Sequence, residues 1–553
     1  MELLPSAHVD TFCRDHLPPA DQWPQLSFDL PELHYPDRLN AATALLDDVA
    51  ARHGGDRPCL RQPDVPTWSY DELVAAANRV ARVLVEDLGI VPGNRVLLRG
   101  PNNQWLSAAW FGVLKAGAVL VTTMPLLRTG ELQTIHEIAH LDAALVDHRF
   151  TEAVEPLGIP SLAFGDDAWA ERVAAKQATF DDVPTSADDV CMLAFTSGTT
   201  GRPKATMHFH RDVLAICDTF CRHVLEPSSD DVFTGTPPYA FTFGLGGVLL
   251  FPLYVGASTL LVERATPAEL ADLIDAHGVT VCFTAPTAYK AMLVQRPGGS
   301  AFASLRKAVS AGEHLPKAVW EAFRDATGVE IIDGIGSTEM LHIFISAAGA
   351  DIRPGSTGRA VPGFTATVVD ESGRELPSGE PGLLAVRGPT GCRYLDDPRQ
   401  AAYVRHGWNI TGDTFVRDDD GYFWYQARSD DMIISSGYNI AAPEVEEALL
   451  KHPAVAECAV IGVPDEARGM LVKAYVVSAA GAGEVTAGEL QDFVKAEIAP
   501  YKYPRAIEFV AELPRTATGK LQRFRLRQAS SAAGATAVGA TAIGPDETPS
   551  PDG

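Results

Sequence analysis

The sequence predicts an α/β protein with a large N-terminal domain of layered α/β subdomains, a small β unit, and a small α+β C-terminal domain. Three observations carry this. From Asn40 to Ser310, amphipathic helices alternate with short Val/Leu/Ile runs, the pattern of parallel sheets covered by helices. After Gly355 the texture changes to short apolar runs split by Gly, Pro, Asp and Ser, which reads as antiparallel β structure with tight turns. From Ala442 a second α/β pattern of about one hundred residues begins, the size of a compact domain. At 553 residues the chain can bury several cores without covalent staples.

The first forty residues are rich in Pro and Asp with scattered aromatics, Phe12, Trp23, Phe28 and Tyr35. They read as an irregular lead-in lying on the body. Ala41–His53 and Tyr70–Leu88 carry apolar residues at helical spacing. Arg95–Leu98 is a short strand, Trp105–Ala116 a helix and Val119–Thr122 the next strand. The alternation continues through strands Ala143–Val146, Val190–Phe195, Ser258–Leu261, Val279–Phe283 and Lys307–Ser310. The β unit holds Val361–Val369, Leu383–Arg387 and Phe423–Tyr425, with turns at Asp370–Gly373 and Asp418–Gly421. The C-terminal pattern is helix Pro443–His452, strands Val455–Gly462 and Leu471–Ser478, and helix Ala487–Ile498. From Ala529 onward Ala, Gly, Ser, Thr and Pro dominate, so residues 529–553 are expected to form a disordered tail.

With 46% hydrophobic and 21% charged residues, the chain is not a wholly disordered one. Its 45 basic and 71 acidic residues give a net charge of −26. That argues against nucleic-acid or anionic-membrane partners, but allows one basic pocket for a small anion. The eight Cys (13, 59, 191, 217, 221, 282, 392 and 458) form neither a disulfide framework nor a zinc set. They are expected to be reduced, mostly buried thiols of a cytoplasmic protein. The N-terminus lacks a basic and apolar leader. Gly244–Val262, the most apolar stretch, is broken by Gly, Pro and Tyr and reads as core rather than a membrane span.

The most informative segment is Thr196-Ser-Gly-Thr-Thr-Gly-Arg-Pro-Lys204, directly after an apolar strand. Small hydroxylated residues and two glycines let backbone N–H groups approach a polyphosphate, and Lys204 adds a positive charge. It is not a Walker A loop, because only two residues separate Gly198 from Gly201 and Pro203 precedes the lysine. On residue types alone a Ser/Thr/Gly surface loop is the alternative.

This loop resembles the phosphate loop of the adenylate-forming superfamily of acyl-CoA synthetases, adenylation domains and luciferases. Further motifs follow in that family's order, from about Leu39 to Arg527. They are Asp333-Gly-Ile-Gly-Ser-Thr-Glu339, Gly407-Trp-Asn-Ile-Thr-Gly-Asp413, Arg428-Ser-Asp430 and Leu513-Pro-Arg-Thr-Ala-Thr-Gly-Lys520. The resemblance implies nucleotide contacts from Thr196, Ser197, Gly198, Thr199, Thr200, Gly201, Lys204, Gly312 and Glu313. It implies Thr338 at the phosphate, Glu339 as the Mg²⁺ carboxylate, and Asp413 and Arg428 at the ribose hydroxyls. Lys520 is the implied catalytic lysine. Ile335 stands where the family more often has Tyr, so adenine packing differs there. The resemblance also divides the chain into an N-terminal nucleotide- and acyl-binding domain, 1–429, and a mobile C-terminal domain, 430–528, hinged at Asp430. Ser436 and Gly437 would line a thiol tunnel.

Such a constellation suits activation of a carboxylate. Attack on the α-phosphate of ATP gives an acyl-adenylate, and Lys520 would stabilise the developing charge. Within the family, the run Gly334–Phe344 is most similar to benzoate- and 2-aminobenzoate-CoA ligases. That likeness implies an acyl pocket of Phe241, Thr242, Phe243, Ala311, Gly336, His342 and Ile343. Flat aromatic walls favour a small aromatic carboxylic acid. The implied co-substrates are ATP and coenzyme A, with Mg²⁺, and a homo-oligomer is allowed. A stand-alone adenylating enzyme that loads a carrier protein shares every motif. A non-catalytic nucleotide-binding module is the remote alternative, disfavoured by the presence of Lys520 and Glu339.

Overall fold

A computed structural model describes residues 3–196, 203–428, 432–435, 438–465, 469–480, 485–498, 502–515 and 521–530. The chain divides into two compact units, one of residues 1–411 with 415–425, the other of residues 412–414 with 426–553. The fold is the expected mixed α/β class.

Among the described residues, two large sheets organise the first unit. One has six strands in the order Ser161–Phe164, Ala143–Asp147, Arg95–Arg99, Val119–Thr123, Val190–Thr196, Lys204–Phe209. All neighbours pair in parallel except the last two, which are antiparallel. Every residue of Arg95–Arg99, Val119–Thr123 and Ala143–Asp147 is buried, as a sheet covered on both faces requires. The covering helices have local start signals. Helix Gln104–Lys115 begins where the Asn103 side chain accepts from the Leu106 N–H. Helix Tyr70–Arg82 begins with a reciprocal Ser69/Glu72 capping box and runs on as a π turn, Val83–Asp87.

The second sheet has nine strands. Its parallel centre contains Val232–Gly235, Val281–Thr284, Lys307–Ala311 and Ile331–Gly336. Ile331–Gly336 then pairs antiparallel with Ile343–Ser346. The connection between these two strands carries Thr338 and Glu339. The apolar stretch 244–262 is a buried helical segment ending in strand Ser258–Leu260. Among the described residues, no helix is long and apolar enough to cross a membrane.

A smaller sheet holds Thr365–Val369, Pro381–Arg387, Trp408–Arg417 and Val404–Arg405, with Phe423–Arg428 beside Trp408–Arg417. Its first strand starts four residues later than predicted. Pro362 lacks an N–H and Gly363 takes φ +92°, so the chain turns there before it extends.

The lead-in is fastened to distant parts of the first unit. The Leu4 and Ala7 N–H groups donate to Asp188 (3.2 Å) and Asp189 (2.9 Å). Arg95 pairs with Asp10, and the Tyr35 hydroxyl donates to Asp218 at 2.9 Å. Gln25 N–H donates to the Gly407 carbonyl at 2.8 Å, and Leu26 bridges Gly388.

The second unit is α+β. Strands Tyr438–Ala441, Met432–Ser435, Gly469–Ser478 and Val455–Asp465 form an antiparallel sheet, with Ala506–Phe509 parallel to Gly469–Ser478. Helices Ala442–Leu450 and Ala487–Glu497 share its core of Ile433, Val445, Leu449, Val460, Val472 and Leu490. A final helix, 523–530, includes Ala529 and Ser530. The expected tail therefore starts at least two residues later than the composition suggested, and its remainder lies outside the described residues. All eight cysteines are free, seven buried and Cys458 half-buried.

Candidate active site

The site is built on the hairpin Ile331–Gly336/Ile343–Ser346. Between its strands, Met340 N–H donates to the Ser337 carbonyl and Leu341 N–H to that of Thr338, both at 3.2 Å. Leu341 is fully buried and holds φ +70°. A non-glycine residue in the left-handed region costs roughly 1–3 kcal/mol and persists where packing over-determines it. This turn gives Glu339 and His342 different surroundings.

Glu339 is only 6% exposed. Its Oε1 accepts from Lys204 Nζ at 3.2 Å and from the Tyr394 hydroxyl, which in turn accepts from Lys204 Nζ. Among the described residues, Oε2 takes no hydrogen bond. Lys204 opens the strand Lys204–Phe209 and pairs in register with Thr196, the last residue of the strand before the loop. Both ends of the Ser/Thr/Gly segment are thus fixed to one sheet. Its residues Ser197, Gly198, Thr199, Thr200 and Gly201 lie outside the described residues, as do Asp430, Ser436, Gly437 and Lys520.

Behind Thr338 lies a buried polar chain. His208 Nε2 donates to the Thr338 carbonyl at 2.9 Å, and its Nδ1 faces the Asp212 carboxylate at 3.8 Å. Asp212 pairs with Arg393, and both are fully buried. Burial alone would raise the Asp212 carboxyl, but Arg393, His208 and Arg211 together hold it well below the ordinary carboxylate range. Arg393 stacks over Phe209 at 4.0 Å. No spacing pattern marked His208, Asp212, Arg393 or Tyr394 in the sequence. Apart from the His208–Asp212 approach four residues apart, the contacts that tie them to the site span 55 to 190 positions.

Gly312, expected beside the adenine, takes φ +87° just after strand Lys307–Ala311, where a side chain would be strained. Glu313 beside it is half-buried, and His314 stacks on Tyr425 at 5.5 Å. Ser310 donates to Asp333 at 2.5 Å, and burial pushes the Asp333 carboxyl up to about 7. In the second unit Asp413 is half-buried on strand Trp408–Arg417. Arg428 ends strand Phe423–Arg428, with its side chain outside the described atoms.

The residues expected to line an acyl pocket have apolar surroundings. His342 is 2% exposed and ringed by Phe251, Phe220, Phe243 and Phe283, with centroids 4.6, 5.4, 5.9 and 6.5 Å away. Among the described residues, neither imidazole nitrogen meets a partner at hydrogen-bond geometry. Burial pushes its pKa down to about 3, against a smaller upward pull from the Phe243 backbone. The imidazole is therefore neutral near pH 7. Gly246 makes room for it, since a Cβ there would lie 2.4 Å from His342 Cδ2. Ala311 and Ile343 are buried on the two strands that flank Ile331–Gly336, and Phe241 and Thr242 are half-buried where their helix begins. Gly246, Phe220, Phe251 and Phe283, which surround His342, carried no signal in the sequence.

Gly336 has a different reason from the one expected. A Cβ there would lie 2.6 Å from the His342 carbonyl oxygen and 2.9 Å from the Ile343 nitrogen. The glycine answers the close approach of the opposing strand at an irregular register step, not simply room for a ring.

Parallel strands whose ends gather a lysine, a buried carboxylate and a Gly-rich turn define a nucleotide-handling α/β enzyme. Comparison with known proteins sharpens the class. Residues 46–393 match the AMP-binding enzyme family, and residues 444–520 match the AMP-binding enzyme C-terminal domain. The chain is 36% identical to the benzoate–CoA ligase of Thauera aromatica over 516 residues, 90% of this chain and 98% of that one. A crystal structure of an anthranilate CoA ligase in complex with anthranoyl-AMP superposes with a TM-score of 0.86 at 34% identity, covering 92% of this chain and all of that one. A benzoate CoA ligase from Burkholderia xenovorans LB400 gives 0.81 at 33% identity, over 88% and 100%. The chain belongs to the AMP-binding enzyme family.

Proposed function

We propose that this protein is an ATP-dependent aryl acid–CoA ligase, acting on benzoate or 2-aminobenzoate-like acids. The observation that carries the reading is the phenylalanine-walled His342 three residues from the Lys204–Glu339 pair. An aromatic, apolar site suited to a small ring would thus adjoin a lysine–carboxylate pair suited to phosphate and metal. Relatives named for benzoate and anthranilate support the acid class.

In the first step a carboxylate oxygen attacks the α-phosphorus of ATP, and the bond to pyrophosphate breaks. Lys204 and the 196–201 loop bind the phosphates, and Lys520 stabilises charge at the reacting centre. Gly312 and Glu313 border the adenine, while Asp413 and Arg428 hold the ribose hydroxyls. In the second step the CoA thiolate attacks the acyl carbon and AMP leaves. Rotation about Asp430 removes Lys520 and brings Ser436 and Gly437 to the thiol channel, a gate of the kind that often sets turnover.

Among the described residues no group of three His, Cys, Asp or Glu could hold a metal by itself. One carboxylate with a free oxygen, Glu339, fits Mg²⁺, which keeps several waters and shares phosphate oxygens. When bound there, the ion would supply neutralising charge on the phosphates.

The test is pyrophosphate release over benzoate, its 2-amino, hydroxy and halo derivatives, phenylacetate and hexanoate, with and without CoA. Preference for the small aryl acids and CoA-dependent turnover are expected. Preference for hexanoate overturns the acid class. Tight retention of aryl-adenylate despite CoA points instead to carrier-protein loading.

A further inference from the structure

Tyr394 belongs to none of the sequence motifs, yet its hydroxyl touches both ionic members of the phosphate cluster. It accepts from Lys204 Nζ and donates to Glu339 Oε1. One hydroxyl has one proton, so donation to the carboxylate and acceptance from the ammonium are the consistent pair of roles. Both Tyr394 and Lys204 engage the same carboxylate oxygen, Oε1. The other oxygen is left over.

The tyrosine is held stiffly. Its segment pairs beside strand Lys204–Phe209: Met207 N–H donates to the Arg393 carbonyl at 2.7 Å and Leu395 N–H to the Ala205 carbonyl at 2.9 Å. The Gln400 side chain accepts from the Tyr394 N–H at 2.8 Å and donates to the Gln22 carbonyl at 2.8 Å. The ring is 1% exposed and packs edge-on to Tyr403 at 5.8 Å. A side chain locked on both backbone and ring can fix a carboxylate rotamer, whereas a flexible lysine alone cannot.

We propose that Tyr394 is a positioning residue that sorts the two oxygens of Glu339, engaging Oε1 so that Oε2 is presented to the Mg²⁺ that accompanies ATP. Lys204 is the exchangeable partner: when phosphates arrive it turns to them, and the Tyr394 hydroxyl stays on Oε1. The nucleotide-free site is thereby kept neutral and the carboxylate keeps its orientation through the exchange. This rests on the reading of Glu339 as the metal carboxylate.

The experiment compares native protein, Tyr394→Phe and Glu339→Gln by calorimetric ATP titration in EDTA and at stepped Mg²⁺ concentrations. For Tyr394→Phe, metal-free ATP affinity should stay within about twofold of native. The Mg²⁺ concentration giving half of the metal-dependent gain in affinity should rise about five- to tenfold. Glu339→Gln should raise it further. A native Mg²⁺ midpoint in Tyr394→Phe beside a raised one in Glu339→Gln overturns the role of Tyr394 and leaves Glu339 standing. A native midpoint in Glu339→Gln overturns both. Equal loss of ATP affinity with and without metal in Tyr394→Phe also overturns the proposal, because the hydroxyl would then serve the nucleotide or the fold. If the phenylalanine protein does not fold, Tyr394→4-aminophenylalanine decides. It returns a donor to the same place and should bring the midpoint to within about twofold of native; a midpoint raised as in Glu339→Gln sinks the proposal.

Discussion

Glu339 and His342 sit three residues apart on one turn and are treated in opposite ways. Glu339 is buried but engaged by Lys204 and Tyr394. His342 is more deeply buried, walled by four phenyl rings, and among the described residues neither of its nitrogens meets a partner at hydrogen-bond geometry. An engaged carboxylate costs little while the site is empty. An unpartnered buried imidazole costs about 1–3 kcal/mol until something satisfies it. On the proposed function, the nucleotide end would be prepaired within the protein, and the acid end would keep polar capacity in reserve. Affinity for nucleotide is expected to depend on exchanging partners, and selectivity for the acid on supplying one.

The contrast can be broken from either side. Glu339→Gln should have the largest effect, lowering adenylate formation by about 10²–10³-fold in pyrophosphate exchange, the scale of removing one preorganised electrostatic group. A loss under tenfold would mean the carboxylate is structural.

Gly336→Ala should strike both sides together. Its methyl meets the His342 carbonyl at 2.6 Å, and overpacking of this kind costs about 1–3 kcal/mol. Thermal unfolding should shift down, and the Michaelis constants for acid and ATP should both rise. A rise confined to the acid would restore the simpler view that Gly336 only clears space for the ring.

The pH dependence of stability isolates the apolar side. His342 and His210 have folded pKa values pushed down to about 3 by burial, from 6.5. As pH falls below 6.5 the unfolded chain takes up protons that these two folded imidazoles refuse. Stability is then full above about pH 7 and declines toward pH 3. Each residue should cost about 2 kcal/mol by pH 5. Denaturant unfolding at pH 7.5 and pH 5 measures this, and His342→Leu should remove about half of the decline. An unchanged decline would place the imidazole in contact with water.

The smallest effect is the most specific. At pH 7.5, His342→Leu should leave stability unchanged or raise it by about 1 kcal/mol, because an unsatisfied polar group is replaced by one of similar size. The ratio of kcat/KM for 2-aminobenzoate over benzoate should fall roughly fivefold. An intact ratio would assign the ring substituent to another partner.

The layered α/β plan was legible because short continuous apolar runs mark the buried strands and apolar residues at helical spacing mark the helices. Lys204 and Glu339 were legible because each sits in a local motif. The π turns at Val83–Asp87 and Leu245–Leu250 were not, since one extra residue per turn leaves an apolar helix looking helical. Tyr394, Arg393 and Asp212 were silent for another reason. They are single residues whose meaning comes from partners brought in by the fold across 55 to 190 positions. Gly336 shows a motif residue noticed for one reason and accounted for by another: the opposing backbone forbids a side chain there.

The fastened lead-in has a consequence for synthesis. Leu26 bridges Gly388, and Gln22 receives the amide of Gln400, so residues made early in this unit close onto residues made more than 360 positions later. At about 5–20 residues per second, roughly 20–70 s separate the emergence of Leu26 from that of Gly388. Throughout that interval Gln22 and Leu26 lack these partners, and the segment that carries Tyr394 has not been made. The nascent chain must pass through a long stage with its sheets begun and the segment around Leu26 unfastened. That is the stage at which a chaperone would find something to hold.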